Sequence, residues 1–202
     1  MRTPATATDG AADPSGGATD PREGAAGAPE DATERLPRDT GVGADRFRRA
    51  LGGHAAGVVV VTAAGPAGPV GVTATSFTSV SLDPPLVSFY IDSGSGSWPG
   101  IRDSASFAVN VLAEDQRDVA ARFAARGADR FAAPTRWRRG AEGLPLIEGA
   151  AVHILCLRHD LMAVGDHWLV VGRVAAAEVG GELGGDAARP LLYHRGTYGR
   201  FS

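Results

Sequence analysis

Lysine is missing from this chain: all 20 basic residues among its 202 are arginine. That excludes a Schiff-base lysine, a P-loop lysine and a lysine general base. Cysteine is almost as scarce. With Cys156 alone there is no intrachain disulfide, no paired-cysteine redox motif and no cysteine-rich zinc site, and a reducing, cytoplasmic setting is expected. No apolar run reaches the roughly 18 residues that a membrane helix needs. Nor is there a charge excess: 20 basic residues stand against 23 acidic ones, a formal net charge of -3. Such a balance gives no general attraction to a nucleic-acid backbone or an anionic membrane, so neither is an expected partner. The five histidines, His54, His153, His159, His167 and His194, include no two at the short spacing of a zinc motif, and no metal site is expected. No Ser, His and Asp assemble into a hydrolytic triad.

Residues 1–43 are built from Ala, Gly, Pro, Asp and Thr, with Leu36 and Val42 the only larger aliphatics after Met1. Too little apolar area is present there to offset the entropy of ordering, so a disordered tail is expected, without the apolar core of a signal peptide. Arg48-Arg49 ahead of Val58–Val61 lies too far from the start to read as a twin-arginine export signal. The folded unit is expected over 44–202.

Phe47, Ala50 and Leu51 recur at i, i+3, i+4, which predicts a short amphipathic helix ended by Gly52-Gly53. Four short strands are expected at 58–62, 70–73, 85–91 and 107–112, all β-branched or aromatic and separated by Gly or Pro turns. Val119 and Phe123, four apart among helix formers, predict a helix over 115–123. Two long strands, 151–162 and 167–179, flank Ala163-Val164-Gly165-Asp166 as a hairpin. Many short strands with inserted helices, lacking regular β-α alternation, predict a mainly β (α+β) fold, a small barrel.

Two stretches carry candidate chemistry. Thr73 through Ser81 follows a strand and is dense in hydroxyls, which with backbone N–H groups can hold a phosphate or the edge of a heteroaromatic ring; it also reads as an ordinary polar strand and turn. Asp92-Ser93-Gly94-Ser95-Gly96-Ser97 precedes a short helix at 99–102 and can expose successive N–H groups to an anion, or serve as a linker. His167 and His194 sit at strand ends, where binding residues are presented, whereas Cys156, His153 and His159 read as strand or packing residues.

Taken together, Phe47–Gly52, Gly57–Ala63, Thr78-Ser79-Val80-Ser81-Leu82-Asp83-Pro84-Pro85-Leu86, Phe107–Leu112, Asp129-Arg130-Phe131, Gly165-Asp166-His167 and Pro190–Tyr198 resemble, in order, the flavin reductase-like family with its FMN-binding split barrel. The likeness spans nearly all of 45–199. It implies a six-stranded split β-barrel with a few inserted helices, and an NAD(P)H-dependent flavin reductase using FMN or FAD with NADH or NADPH. It further implies a homodimer that supplies reduced flavin to a partner flavin-dependent monooxygenase. By the same resemblance Thr73, Ala74, Thr75 and Ser76 would line the flavin ring. Ser79, Val80 and Ser81 would reach its polar edge and ribityl chain, Ser95 and Ser97 would meet the phosphate, and His167, with His194 and Arg195, would lie near the nicotinamide or the substituted face of the flavin.

Two departures stand out: Thr75 where the family often has Asn, and no basic residue within Ser93–Ser97. Arg102, Arg126 or Arg130 would compensate if folded into reach. The apolar segment Trp168-Leu169-Val170-Val171 would give an outer face on which copies pair. Two other functions stay open from sequence: a non-catalytic flavin-binding or partner-binding protein, and a flavin-retaining oxidoreductase acting on an organic substrate.

Overall fold

The computed structural model describes residues 41–179 and 188–200. Up to residue 40, the tail expected over 1–43 lies outside the described residues. In chain order the elements are α1 (Ala44–Gly52), β1 (Ala56–Gly57), β2 (Val59–Gly65), β3 (Gly68–Ala74), β4 (Thr78–Leu82), β5 (Pro85–Asp92), α2 (Trp98–Asp103), β6 (Ser106–Val111), α3 (Arg117–Ala124), β7 (Trp137–Arg139), β8 (Pro145–Ile147), β9 (Val152–Val164), β10 (His167–Val179), β11 (Leu192–His194) and β12 (Thr197–Gly199).

A seven-stranded antiparallel sheet in the order β3-β2-β6-β9-β10-β5-β4 carries the fold, with a three-stranded sheet β1-β11-β12 and the pair β7-β8 beside it. The mainly β fold class is as expected; the main sheet has one strand more than the six implied. The seventh is β4. Its residues Thr78–Leu82 are too polar to advertise a strand by alternation, yet they pair with β5 as an edge, where one side needs no cover.

The run of valines in β2 is continuous because this strand is covered on both faces. Val59, Val61 and Ala63 point into the main core with Val87, Phe89 and Ile91 of β5, Phe107 and Val109 of β6, and Val170 of β10. The alternate residue Val60, with Val58 just before the strand, packs against Phe123 of α3, Ile147 of β8 and Leu191. Phe107 meets Phe89 edge to face at 5.5 Å. A side chain at Gly172 would stand 2.4 Å from the Phe107 ring, so glycine lets β10 close over it.

Between the two faces of β2 and β6 runs a short polar seam. The Asn110 amide donates to Val60 O (2.9 Å) and Thr62 Oγ1 (3.2 Å), while its Oδ1 accepts from Ile147 N–H (2.8 Å); Thr62 in turn donates to Pro145 O. Those bonds register β8 against the sheet where Thr62, Asn110 and Ile147 are fully buried and every polar group needs a partner. His153 is likewise a packing residue, its Nε2 2.8 Å from Ile147 O. Cys156 is buried, and desolvation pushes its thiol up to about 12, which suits an inert strand residue.

The first arm of the β9–β10 hairpin begins one residue later than expected and runs two residues further toward the turn, leaving Gly165-Asp166 as a two-residue turn. Gly165 has φ 61°, the left-handed value that the first central position of such a turn requires. Within Trp168–Val171 the residues alternate: Val170 is fully buried and Trp168 packs on the core, so the segment is not uniformly an outer face. Helix α1 forms where expected, but its apolar stripe stays uncovered, with Phe47 and Leu51 more than half exposed. Among the described residues no helix is long and apolar enough to cross a membrane.

Candidate functional site

A cleft of about 650 Å³ opens where the end of β5, the loop after it, the middle of β3 and the segment after α3 converge. Val72, Thr73, Tyr90, Ile91 and Asp92 supply one side, Gly94, Ser95 and Gly96 the rim, and Ala124, Arg126, Gly127, Ala128 and Arg130 the other. Its size is that of a small-molecule or cofactor pocket.

The rim loop is locally self-bonded. Gly94 N–H donates to Asp92 Oδ1 (2.7 Å), Ser95 N–H to Asp92 O (2.9 Å) and Trp98 N–H to Ser95 O (2.9 Å), the side-chain and backbone turns that Asp and Ser favour. It is also tied outward. Ser93 donates its N–H (3.1 Å) and hydroxyl (2.9 Å) to Asp166 O in the β9–β10 turn, and Trp98 stacks on Trp168 at 5.1 Å.

The opposite wall is docked through β3. Gly71 admits the Phe123 ring, since a Cβ there would lie 2.7 Å from it, and the Thr73 hydroxyl donates to Ala120 O of α3 at 2.7 Å. Such close approach of helix and strand brings the segment after α3, with its two arginines, to the cleft. Arg130 donates from Nη1 to Ser97 Oγ (2.6 Å) and from Nη2 to Ala125 O (2.8 Å); its Nε is enclosed with no hydrogen-bond partner. No carboxylate pairs with it among the described residues. Burial lowers its pKa, but from an ordinary value so high that the guanidinium stays protonated at neutral pH. Arg126 is exposed and 4.0 Å from Asp92 Oδ2.

Of the residues picked out in sequence, Thr73, Ser95, Arg126 and Arg130 share this cleft. Ser76 borders it: its Oγ accepts from Tyr90 N–H at 2.9 Å and donates to Tyr90 O at 3.4 Å, bridging 75–77 to β5, with Thr75 exposed alongside. Ala74 turns into the core, so its side chain offers no surface to a ligand. Ser79 and Val80 are exposed and Ser81 half-buried on the edge strand β4. His167 stands across from Asp92 in the β10–β5 ladder, its Nδ1 2.6 Å from Asp166 Oδ1; that hydrogen bond, more than the charge itself, holds the Asp166 carboxyl below its usual value.

His194 and Arg195 are not brought to the cleft. They lie in the β11–β12 hairpin, where His194 lines a separate groove with Ala55, Leu192 and Tyr198. Arg102 is spent on Asp103 at 2.8 Å, so Arg126 and Arg130 are the guanidiniums in reach. Ser97 is 2% exposed and offers no surface to a ligand. Tyr90 was not among the expected site residues, Asp92 entered only as the start of the Ser-Gly loop, and Arg126 only as one of three arginines whose reach the fold had to decide. Nothing in their local pattern marks them, because the loop that carries Arg126 reaches the cleft only through the packing of α3 on β3.

The donor set fits an anionic ligand such as a phosphate. A half-buried guanidinium without a carboxylate calls for an anion, the enclosed Nε is an unspent donor, and the serine loop exposes polar groups opposite. Residues 51–202 match the flavin reductase-like domain model. Over 161 residues, covering 80% of this chain and 83% of the relative, the sequence is 44% identical to the NADH:FMN oxidoreductase of Rhodococcus qingshengii. It is 41% identical to the reductase subunit HsaB of a flavin-dependent monooxygenase from Rhodococcus jostii (strain RHA1), over 76% of this chain and 75% of the relative. The solved structure of the NADH:FAD oxidoreductase SgcE6 of Streptomyces globisporus C-1027, in complex with NAD and FAD fragments, superposes with a TM-score of 0.71 at 37% identity, covering 78% of this chain and 92% of that one.

Proposed function

Since the chain belongs to the flavin reductase-like domain family, we propose that it oxidises NADH or NADPH with FMN or FAD as acceptor and supplies the reduced flavin to a partner flavin-dependent monooxygenase. The observation that carries this reading is the cleft in which Ser95 and Arg126 flank the uncompensated Arg130 guanidinium. Bound flavin and nicotinamide nucleotide together supply the chemistry, a hydride passing from one ring to the other, so no nucleophile, metal or lysine is asked of the protein.

The chain's own residues bind and orient. Arg130 and Arg126 hold phosphate from one side of the cleft and the Ser95 loop from the other. Thr73, Thr75, Ser76 and the backbone of Ala74 line the ring, and Ser79, Val80 and Ser81 reach its polar edge, where fixed donors stabilise the negative charge of the reduced form. His167 positions the nicotinamide. His194 and Arg195 serve a site only through a second copy, because within one chain they lie in the β11–β12 hairpin and outside the cleft lining. A homodimer fits the apolar side chains left exposed on three elements, Phe47 and Leu51 of α1, Val80 and Leu82 of β4, and Met162 and Val164 of β9. The cytoplasm suits the single buried cysteine, and residues 1–43 are dispensable for the reaction.

Absorbance at 340 nm, read with NADH or NADPH and FMN or FAD in all four combinations, tests the reading on the full chain and on a truncation beginning at residue 44. Nicotinamide oxidation that saturates with flavin in both is expected. Flavin binding with no oxidation would make the protein a carrier instead. Turnover of a quinone without added flavin would make it a flavin-retaining enzyme.

A further inference from the structure

Ser97 ends the serine-rich loop, yet it is enclosed at 2% exposure and its hydroxyl is already committed. Its proton goes to Gly71 O at 2.6 Å, the carbonyl of the same residue that admits Phe123, and its oxygen accepts from Arg130 Nη1 at 2.6 Å. Because the hydroxyl donates to β3, the lone pair it offers Arg130 has a set direction. The guanidinium is therefore held at two nitrogens by two separate segments, Ser97 ahead of α2 and Ala125 after α3, with Nε left over. A long side chain that would otherwise sample many rotamers is preordered at the cleft wall, and the entropy of ordering it does not fall on ligand binding.

On the flavin reading given above, we propose that Ser97 is a positioning residue for Arg130. It acts on the phosphate of the bound nucleotide through that guanidinium and does not touch the phosphate itself. Arg130 is the charge; Ser97 is what aims it.

The test compares FMN with riboflavin, which has the same ring and no phosphate, by fluorescence titration of the full-length protein, its Ser97→Ala and Arg130→Gln variants and the double variant. A hydrogen bond to a charged group is worth about 1.5–3 kcal/mol, so Arg130→Gln is expected to weaken FMN by roughly tenfold or more while riboflavin moves by less than about twofold. Ser97→Ala is expected to weaken FMN by about three- to tenfold with the same indifference in riboflavin. In the Arg130→Gln background it should have no further effect on the FMN-to-riboflavin ratio.

That ratio does not depend on what fraction of a variant is folded, so a destabilised Ser97→Ala still reports. Equal losses for both ligands would overturn the proposal, since they would mean a general loosening of the cleft. Additive losses in the double variant would overturn it too, because Ser97 would then contact phosphate on its own account. An unchanged ratio in Arg130→Gln would remove the anchor that Ser97 is said to aim. A wild-type protein that binds neither ligand would instead overturn the flavin reading, an outcome distinct from all three.

Discussion

Asn110 shows how one polar residue can register a fold. Fully buried on β6, it satisfies Val60 O and Thr62 Oγ1 on one side and Ile147 N–H on the other, so the short strand β8 is held to the sheet by an amide as well as by apolar packing. Replacement by alanine strands the fully buried Ile147 N–H, and a buried unsatisfied donor costs about 1–3 kcal/mol. Asn110→Ala is therefore expected to lower the urea midpoint with little change in the slope of the transition. A midpoint equal to that of the wild type would show that the seam is not a determinant of stability. The same polarity that makes Asn110 informative in the structure hides it in sequence, where it interrupts an otherwise apolar strand reading without announcing its partners.

At the scale of elements, the site depends on the rim loop after β5 being fastened to the turn of the long hairpin. Two bonds from Ser93 reach Asp166 O, His167 faces Asp92 in the ladder, and Trp98 lies stacked on Trp168 at 23° between planes. Removing Trp168 takes away a large partly buried surface and leaves Trp98 beside a void; truncations of this kind cost about 3–5 kcal/mol, and partial exposure puts Trp168→Ala near 3. The expected signature is local as well as global. Amide exchange should accelerate at Ser93–Trp98 before it does in β2 and β6, and uniform acceleration would argue that the stack stabilises only the core.

Most of these elements were legible. The continuous valines of β2, the i, i+4 pair Val119 and Phe123, and the Gly165-Asp166 turn each express a local period or a local backbone demand. The edge strand β4 was not, because its polar residues match a turn as well as a strand. The split of the site was not either: Ser97 reads as one more loop hydroxyl, and which of Arg102, Arg126 and Arg130 reaches the cleft is decided only when α3 docks on β3 through Gly71. What local pattern carries is which face a residue takes, while which residues meet is set by contacts far apart in the chain.

At the scale of the molecule, α1 poses an energetic problem. Nine residues are too few for a helix to persist in water on propensity alone, and this one buries none of its own side chains. Gly52 O does accept from Arg195 N–H at 2.9 Å, which anchors the helix end, but Phe47 and Leu51 remain 53% and 57% exposed. Covering the exposed half of two such side chains contributes roughly 1–1.5 kcal/mol each, enough to tip whether the helix forms. In the proposed homodimer the cover is a second copy, whose own α1, β4 or β9 presents the complementary apolar side chains; isologous pairing requires that the same patch serve both partners. Light scattering coupled to gel filtration should then give twice the chain mass for the wild type, also after truncation at residue 44. The double substitution Phe47→Asp and Leu51→Asp should give a single chain mass and lose amide protection over Ala44–Gly52. A truncated protein that became monomeric would assign the cover to the first 43 residues. A Phe47→Asp, Leu51→Asp protein that stayed dimeric would move the interface to Val80 and Leu82 on β4, where Leu82 is 96% exposed and charge would be the next substitution to make.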